Sequence, residues 1–213
     1  MKRKAEHAFE VDEDDHAETP REAYEDLAPF LHKLAELRGK SAAKLKVLDP
    51  YYCDGSVKEH LGALGFTRVK NENKDAYRKR RWKHYDVLLT NPPYSGDHLE
   101  RMTERLLEDE RPFALLLPNW VVKKPYWKTM EQRRRPFYLV PAKKRYRFEP
   151  PAGLREDKAS KTHKRTSPFP TFWYVHGGQH HEELLEFAAA NARGDPLSFC
   201  RTKNALRDLR RKK

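Results

Sequence analysis

The chain has 213 residues, enough for one α/β domain with a sizeable core and cramped for two. Charged residues make up 36% and the formal net charge is +12, which favours a polyanionic partner such as nucleic acid over an acidic small molecule. Cys53 and Cys200 are too few for a disulfide framework or a cysteine zinc site, and no apolar run is long enough to cross a bilayer or act as a secretory signal. The expectation is a soluble intracellular protein with no membrane association and no metal.

Residues 1–20 hold seven acids and three bases, so the remainder carries about +16 (12 plus 4) and the basic character belongs to the folded part. Residues 1–18 read as a disordered charged tail. Thr19-Pro20-Arg21-Glu22 predicts a helix start with Thr19 as cap and Glu22 reciprocating, and the apolar stripe Ala23, Leu27, Phe30, Leu31 and Leu34 carries the helix to Gly39. A strand at 44–48 runs into Asp49-Pro50, a loop to Gly55 and a helix at 57–64. A second strand at 67–70 is followed by a polar stretch, 71–84, and by a buried strand at 86–90. A helix at 97–108, a strand at 112–117 and a helical segment near 126–134 continue the parallel α/β pattern. Late strands at 137–140, which could reach 148, and 172–176 flank a basic loop from Pro150 to Pro170. A helix at 182–192 precedes a basic tail. The domain is read as 19–200 and the tail as 201–213.

The most informative stretch is Asn91-Pro92-Pro93-Tyr94, directly after the apolar run Val87-Leu88-Leu89-Thr90. A planar amino nitrogen is a poor nucleophile because its lone pair is delocalised. Two acceptors on its N–H groups, the Asn91 side-chain oxygen and the Pro92 carbonyl, would draw it toward tetrahedral geometry as it attacks a methyl donor. Pro92 and Pro93 keep the preceding residues extended, so the acceptors sit on a stiff segment, and Tyr94 would stack on a flat substrate. Together these four residues are the catalytic set expected.

In their order, Thr19-Pro20-Arg21-Glu22, Asp49-Pro50-Tyr51-Tyr52-Cys53-Asp54-Gly55 and Asn91-Pro92-Pro93-Tyr94 resemble the motifs of S-adenosylmethionine-dependent amino-methyltransferases, in particular the adenine-N6 class, over roughly residues 19 to 176. The resemblance implies a Rossmann-like methyltransferase fold, mostly parallel with a late antiparallel strand, and S-adenosyl-L-methionine as cofactor. It implies cofactor contacts from Thr19, Pro20, Asp49, Pro50, Tyr51, Cys53 and Gly55. Asn71 or Glu72 would accept from the ribose hydroxyls, with Glu72 the better placed chemically, and Asp75 would meet the adenine amine, with Tyr77 packing nearby. Two departures stand out. Cys53 replaces the family's first loop glycine, so it must take a positive-φ conformation or the loop must have another shape. Thirteen residues between Asn71 and Tyr85 are too few for a helix and a strand, so one unit of the usual seven-stranded sheet, the third, is expected to be missing.

Lys70 to Lys83 holds seven bases against two acids, and Lys123 to Arg165 fifteen against four. Such flanks suit DNA or RNA, with Arg78, Arg80, Arg81, Lys143, Lys144 and Arg145 on phosphates and Trp120 helping to clamp the base. Target choice could come from the 141–170 loop, the substrate's shape or a partner subunit, and the basic termini suit either nuclear import or phosphate contact. The expected reaction is methyl transfer to adenine N6. Two alternatives remain open: an N5-glutamine protein methyltransferase, whose substrate amide is equally planar, and an inactive nucleic-acid-binding relative.

Overall fold

In a computed structural model, residues 18–78, 81–142, 145–148 and 169–211 are described. They form a mixed seven-stranded sheet with six α-helices. In chain order these are α1 (Arg21–Leu37), β1 (Lys46–Leu48), α2 (Ser56–Ala63), β2 (Arg68–Lys70), β3 (Val87–Thr90), α3 (His98–Leu107), β4 (Phe113–Pro118), α4 (Pro125–Arg133), β5 (Phe137–Pro141), β6 (Thr171–His176), α5 (His181–Asn191), β7 (Leu197–Cys200) and α6 (Lys203–Arg211). The sheet order is β2-β1-β3-β4-β6-β5-β7. The first four of these strands pair in parallel, while β6 runs antiparallel to both β4 and β5, and β7 antiparallel to β5. Five strands therefore point one way, and the architecture is α/β and compatible with a Rossmann-like fold.

Alternation along the strands divides the core in two. Val47, Val87, Leu89, Ala114 and Leu116 face α1, α2 and α5, whereas Leu48, Leu88, Phe113, Leu115 and Leu117 face α3, α4 and α6. All six residues of β4 are buried, as expected of a strand covered on both faces. No described helix is long and apolar enough to cross a membrane.

Three sequence expectations change. The first concerns the start of α1, where Pro20 stands at the cap with extended backbone (φ −66°, ψ 147°) and no side-chain cap bond forms. Thr19 lies one residue too early for its hydroxyl to cap, and instead the Ala23 N–H bonds the Pro20 carbonyl at 3.0 Å. The second concerns the sheet. Among the described residues no helix or strand forms between β2 and β3, in keeping with the short spacing, yet the sheet has seven strands because β7 adds at the opposite edge. The third concerns the C-terminus, where residues read as the start of a tail form α6 with Leu206 buried at 2% exposure.

At the edge of the sheet opposite the strand ends that carry Asp49 and Asn91, polar groups are tied by Arg134. Its guanidinium donates to the carbonyls of Leu106, Asp109 and Arg111 and approaches His176 Nδ1 at 3.2 Å. His176 Nδ1 also accepts the Gly178 N–H at 3.0 Å, and the ring stacks on His181 with centroids 4.1 Å apart. Burial, reinforced by the neighbouring His181 and Arg134, pushes His176 down to about 3. The folded value lies below the unfolded one, so the unfolded chain binds more protons between them. The neutral ring's contribution is complete above about pH 6.5 and is lost as the pH falls toward 3. Urea midpoints of the wild type should therefore drop more steeply between pH 7 and 4 than those of His176→Asn, which keeps an acceptor for Gly178 and cannot charge. Parallel pH dependences in the two proteins would contradict this account.

Candidate active site

Parallel strands leave their C-terminal ends as the natural ligand edge of such a sheet, and the chain places its polar motifs there. Asp49, just beyond β1, is buried and joins three strands. Its N–H bonds the Lys70 carbonyl of β2 at 2.9 Å. Its Oδ1 accepts the Thr90 hydroxyl of β3 at 2.6 Å and the Tyr51 N–H at 3.2 Å. Burial pushes the Asp49 carboxyl up to about 7, with the Thr90 and Tyr51 hydrogen bonds working against the rise and the charge of Glu18 adding to it.

Asn71 holds the same loop from beneath. Its Nδ2 donates to the carbonyls of Asp49 at 3.3 Å and Tyr51 at 3.0 Å, while its Oδ1 is buried without a hydrogen-bond partner. The Asn71 amide nitrogen thus holds the loop, while its oxygen, the atom expected to accept from a ribose hydroxyl, is buried beside it. Cys53 does not take the positive-φ conformation that a glycine there would allow. In this loop only Gly55 does (φ +85°), and a Cβ at Gly55 would stand 3.3 Å from the Tyr52 ring. The loop therefore has another shape. It is clasped from outside by Glu18, whose carboxylate accepts the Asp54 N–H at 2.5 Å and the Ser56 hydroxyl. Thr19 is buried beside it, Pro20 is half-buried, and Tyr51 lies in the core with its hydroxyl 2.5 Å from that of Tyr77. Tyr51 accordingly supports the loop from behind.

Next to Asp49 and Pro50 lies an open cleft of about 1140 Å³, also lined by Glu72, Asp75, Arg78 and Arg81. Glu72 is exposed and sits 3.2 Å from Lys74 and 3.8 Å from Lys70, and the Lys74 hydrogen bond holds its carboxyl below the usual range. Asp75 accepts the Tyr77 N–H at 2.7 Å. The wall of the cleft is the connector between β2 and β3, fastened to α3 by arginines. Arg105 donates to the carbonyls of Ala76 and Tyr77, and Arg101 lies 3.7 Å from the Tyr77 ring centroid. Trp82 also bonds the Ala76 carbonyl, at 2.9 Å.

On the other side of Asp49, β3 delivers Asn91 to the same edge. Pro92 and Pro93 are buried, and Asn91 and Tyr94 are half-buried. The Tyr94 hydroxyl lies 2.5 Å from Asn91 Oδ1 and 3.2 Å from the Leu116 carbonyl. Tyr94 is thus folded back against β4, not extended as a stacking surface, and its hydroxyl occupies the acceptor that an amine would use. Trp120, after β4, is half-buried and not a core residue. It meets Phe169 edge-on with centroids 6.2 Å apart and lies under Lys124 at 5.3 Å. Phe169 is the large hydrophobic exposed among the described residues, at 44%. Sequence reasoning left it inside a basic loop, although its place between Pro168 and Pro170 just before a strand was a usable signal.

Of the basic residues expected to meet phosphates, three are described. Arg78 and Arg81 line the cleft, and Arg81 lies 3.9 Å from Glu108. Arg145 is exposed beside Tyr146, whose hydroxyl donates to Asp26 of α1 at 2.8 Å. Arg80, Lys143 and Lys144 lie outside the described residues. Comparison with protein-family models, with curated proteins and with solved structures finds no match to this chain.

The elevated Asp49 carboxyl has a measurable consequence. Its folded value, about 7, exceeds the unfolded 3.8, so the folded state binds more protons between them and this contribution to stability is lost as the pH rises from 4 to 7. Asp49→Asn retains an acceptor for Thr90 and Tyr51 and removes the buried charge. It should raise Tm at pH 8 by roughly 5 °C and change it little at pH 4. A lower Tm at pH 8 would show that the charge is compensated in the folded chain.

Proposed function

We propose that this protein transfers a methyl group from S-adenosylmethionine to the exocyclic N6 amine of adenine in nucleic acid. The observation that carries this reading is the junction of two motifs at one sheet edge. The Asp49–Thr90 hydrogen bond, 2.6 Å long, places the loop after β1 directly beside the strand end that bears Asn91. The α/β architecture, with its third unit absent and its late antiparallel strand, is compatible with a methyltransferase fold.

The residues present suit the cofactor. Asp49 offers a carboxylate, Asn71 Oδ1 is an unpaired acceptor beside Gly55, and the adjoining cleft carries Glu72 and Asp75. When bound, the cofactor supplies an electrophilic methyl on its sulfonium. The chain supplies positioning. Asn91 Oδ1 and the Pro92 carbonyl accept the two N–H groups of the amine, which exchanges with the Tyr94 hydroxyl at Asn91. The Tyr94 ring, with Trp120 and Phe169 near the same end of the sheet, offers aromatic surface to an unstacked base. With the cofactor held by the Asp49–Gly55 loop, its methyl would be the electrophile for the lone pair of the amine that Asn91 and Pro92 orient, a neutral thioether would be the leaving group, and the extra amine proton would go to water. Exposed Arg78 and Arg81 support a phosphate-bearing substrate.

Incubation with tritiated S-adenosylmethionine and DNA, RNA or protein extract, followed by nucleoside analysis, tests the reading. The expected product is N6-methylated adenosine or deoxyadenosine. Label in protein alone would show a glutamine-type activity, and failure to bind the cofactor would leave a nucleic-acid binder. Asn91→Ala should lower turnover by about 10²–10³ while holding cofactor affinity within a few-fold, as expected for loss of an acceptor that acts on the transition state.

A further inference from the structure

The polar groups around the loop between β1 and α2 sort by kind. Helix α2 has eight residues and begins at Ser56, with Gly55 at its cap. In parallel α/β sheets the helix start after the first strand is a ready anion site, because free N–H groups and the helix dipole face outward. Here the chain supplies its own anion. Glu18, just ahead of α1, places one carboxylate oxygen 2.5 Å from the Asp54 N–H and the other on the Ser56 hydroxyl. A carboxylate therefore already stands across the helix start, on one loop N–H and one hydroxyl that a phosphate could otherwise use.

What remains around the loop is a set of acceptors. Asp49 contributes a buried carboxylate, and Glu18 retains unused lone pairs. Independently of these acids, Asn71 contributes Oδ1, which has no hydrogen-bond partner although the residue is only 1% exposed. That oxygen lies 3.8 Å from the position a Cβ on Gly55 would take, so it points at the turn that leads into α2. A buried acceptor beside two carboxylates is completed by a donor with positive charge.

We propose that Glu18 selects the class of ligand this loop accepts, setting a carboxylate at the helix start against phosphate and leaving acceptors for a cationic amino-acid head, an α-ammonium borne on a nucleoside. The identity of the nucleoside rests on the methyl-transfer reading, whereas the exclusion of phosphate does not. Glu18 is then a specificity residue lying outside the Asp49–Gly55 motif. Its clasp also accounts for a loop that dispenses with glycine at position 53.

Calorimetry of the full chain separates these statements, with wild type, Glu18→Gln and Glu18→Ala each titrated with S-adenosylmethionine and, separately, with ADP. Removing the carboxylate should weaken S-adenosylmethionine at least tenfold and strengthen ADP at least tenfold, with Tm within a few degrees of wild type. If Glu18→Ala fails to fold, Glu18→Gln, which keeps one acceptor and loses the charge, carries the test with smaller shifts of the same sign. Unchanged ADP affinity in the folded variants overturns the proposal. So does tighter S-adenosylmethionine binding, which would make Glu18 a competitor of the ligand's own carboxylate. A gain for ADP in variants of a wild-type protein that binds no S-adenosylmethionine upholds the selection against phosphate and removes the methyl-transfer reading instead.

Discussion

The buried carboxyl of Asp49 is the constraint on which the ligand edge depends. Three parallel strands end beside one another there, and each would otherwise leave polar groups without partners. The Asp49 N–H satisfies β2, its side chain satisfies Thr90 of β3, and Asn71 returns a bond to the Asp49 carbonyl. Leaving one of these groups unpaired in a buried site costs about 1–3 kcal/mol, so the network locks the register of the loop and the strand ends together. Asn91 inherits its position from that lock, one residue beyond Thr90.

The same carboxyl works against stability at neutral pH. Two hydrogen bonds are too few to offset its burial, so the group is held at about 7, where a charge is unfavourable in the unliganded chain. A cationic partner would reverse that imbalance. The arrangement at the opposite end of the sheet has another character. There Arg134 gathers carbonyls, and His176 is kept neutral by burial and by donors converging on Nδ1. That network is closed upon itself, whereas the one around Asp49 retains an unsatisfied oxygen at Asn71.

Among the described residues no helix or strand lies between β2 and β3, and other contacts hold that connector in place. Arginines of α3 reach across to the connector, where they bond the Ala76 and Tyr77 carbonyls and cover the rings of Tyr77 and Trp82. Hydrogen bonds and cation–π contacts thus replace the ladder that a third strand would have provided. Because the connector stands beside the sheet edge and does not extend it, the space next to Asp49 and Pro50 stays open as a basic-rimmed cleft.

Much of this was legible in residue order. Hydrophobic periodicity and glycine or proline punctuation located α1, α2, α3 and the strands through β6, since burial on a helical or pleated face leaves a repeat in the chain. Proline chemistry marked Asn91–Tyr94, and the short spacing before Tyr85 foretold the missing unit. β7 and α6 escaped because a four-residue edge strand and a nine-residue, charge-rich helix read from sequence as a short basic tail. Side-chain partnership was not legible at all. Which of Asn71 and Glu72 is buried, that Tyr94 turns onto Asn91, that Phe169 meets Trp120 and that Glu18 clasps a loop 36 residues away are set by packing of segments remote in sequence. The sequence alone determined which chemical groups are available and which elements carry them, because both follow from local residue type and spacing. Only the tertiary structure decided which groups share hydrogen bonds and which stay open to a ligand, because burial and distance exist only once the sheet has brought its strand ends together.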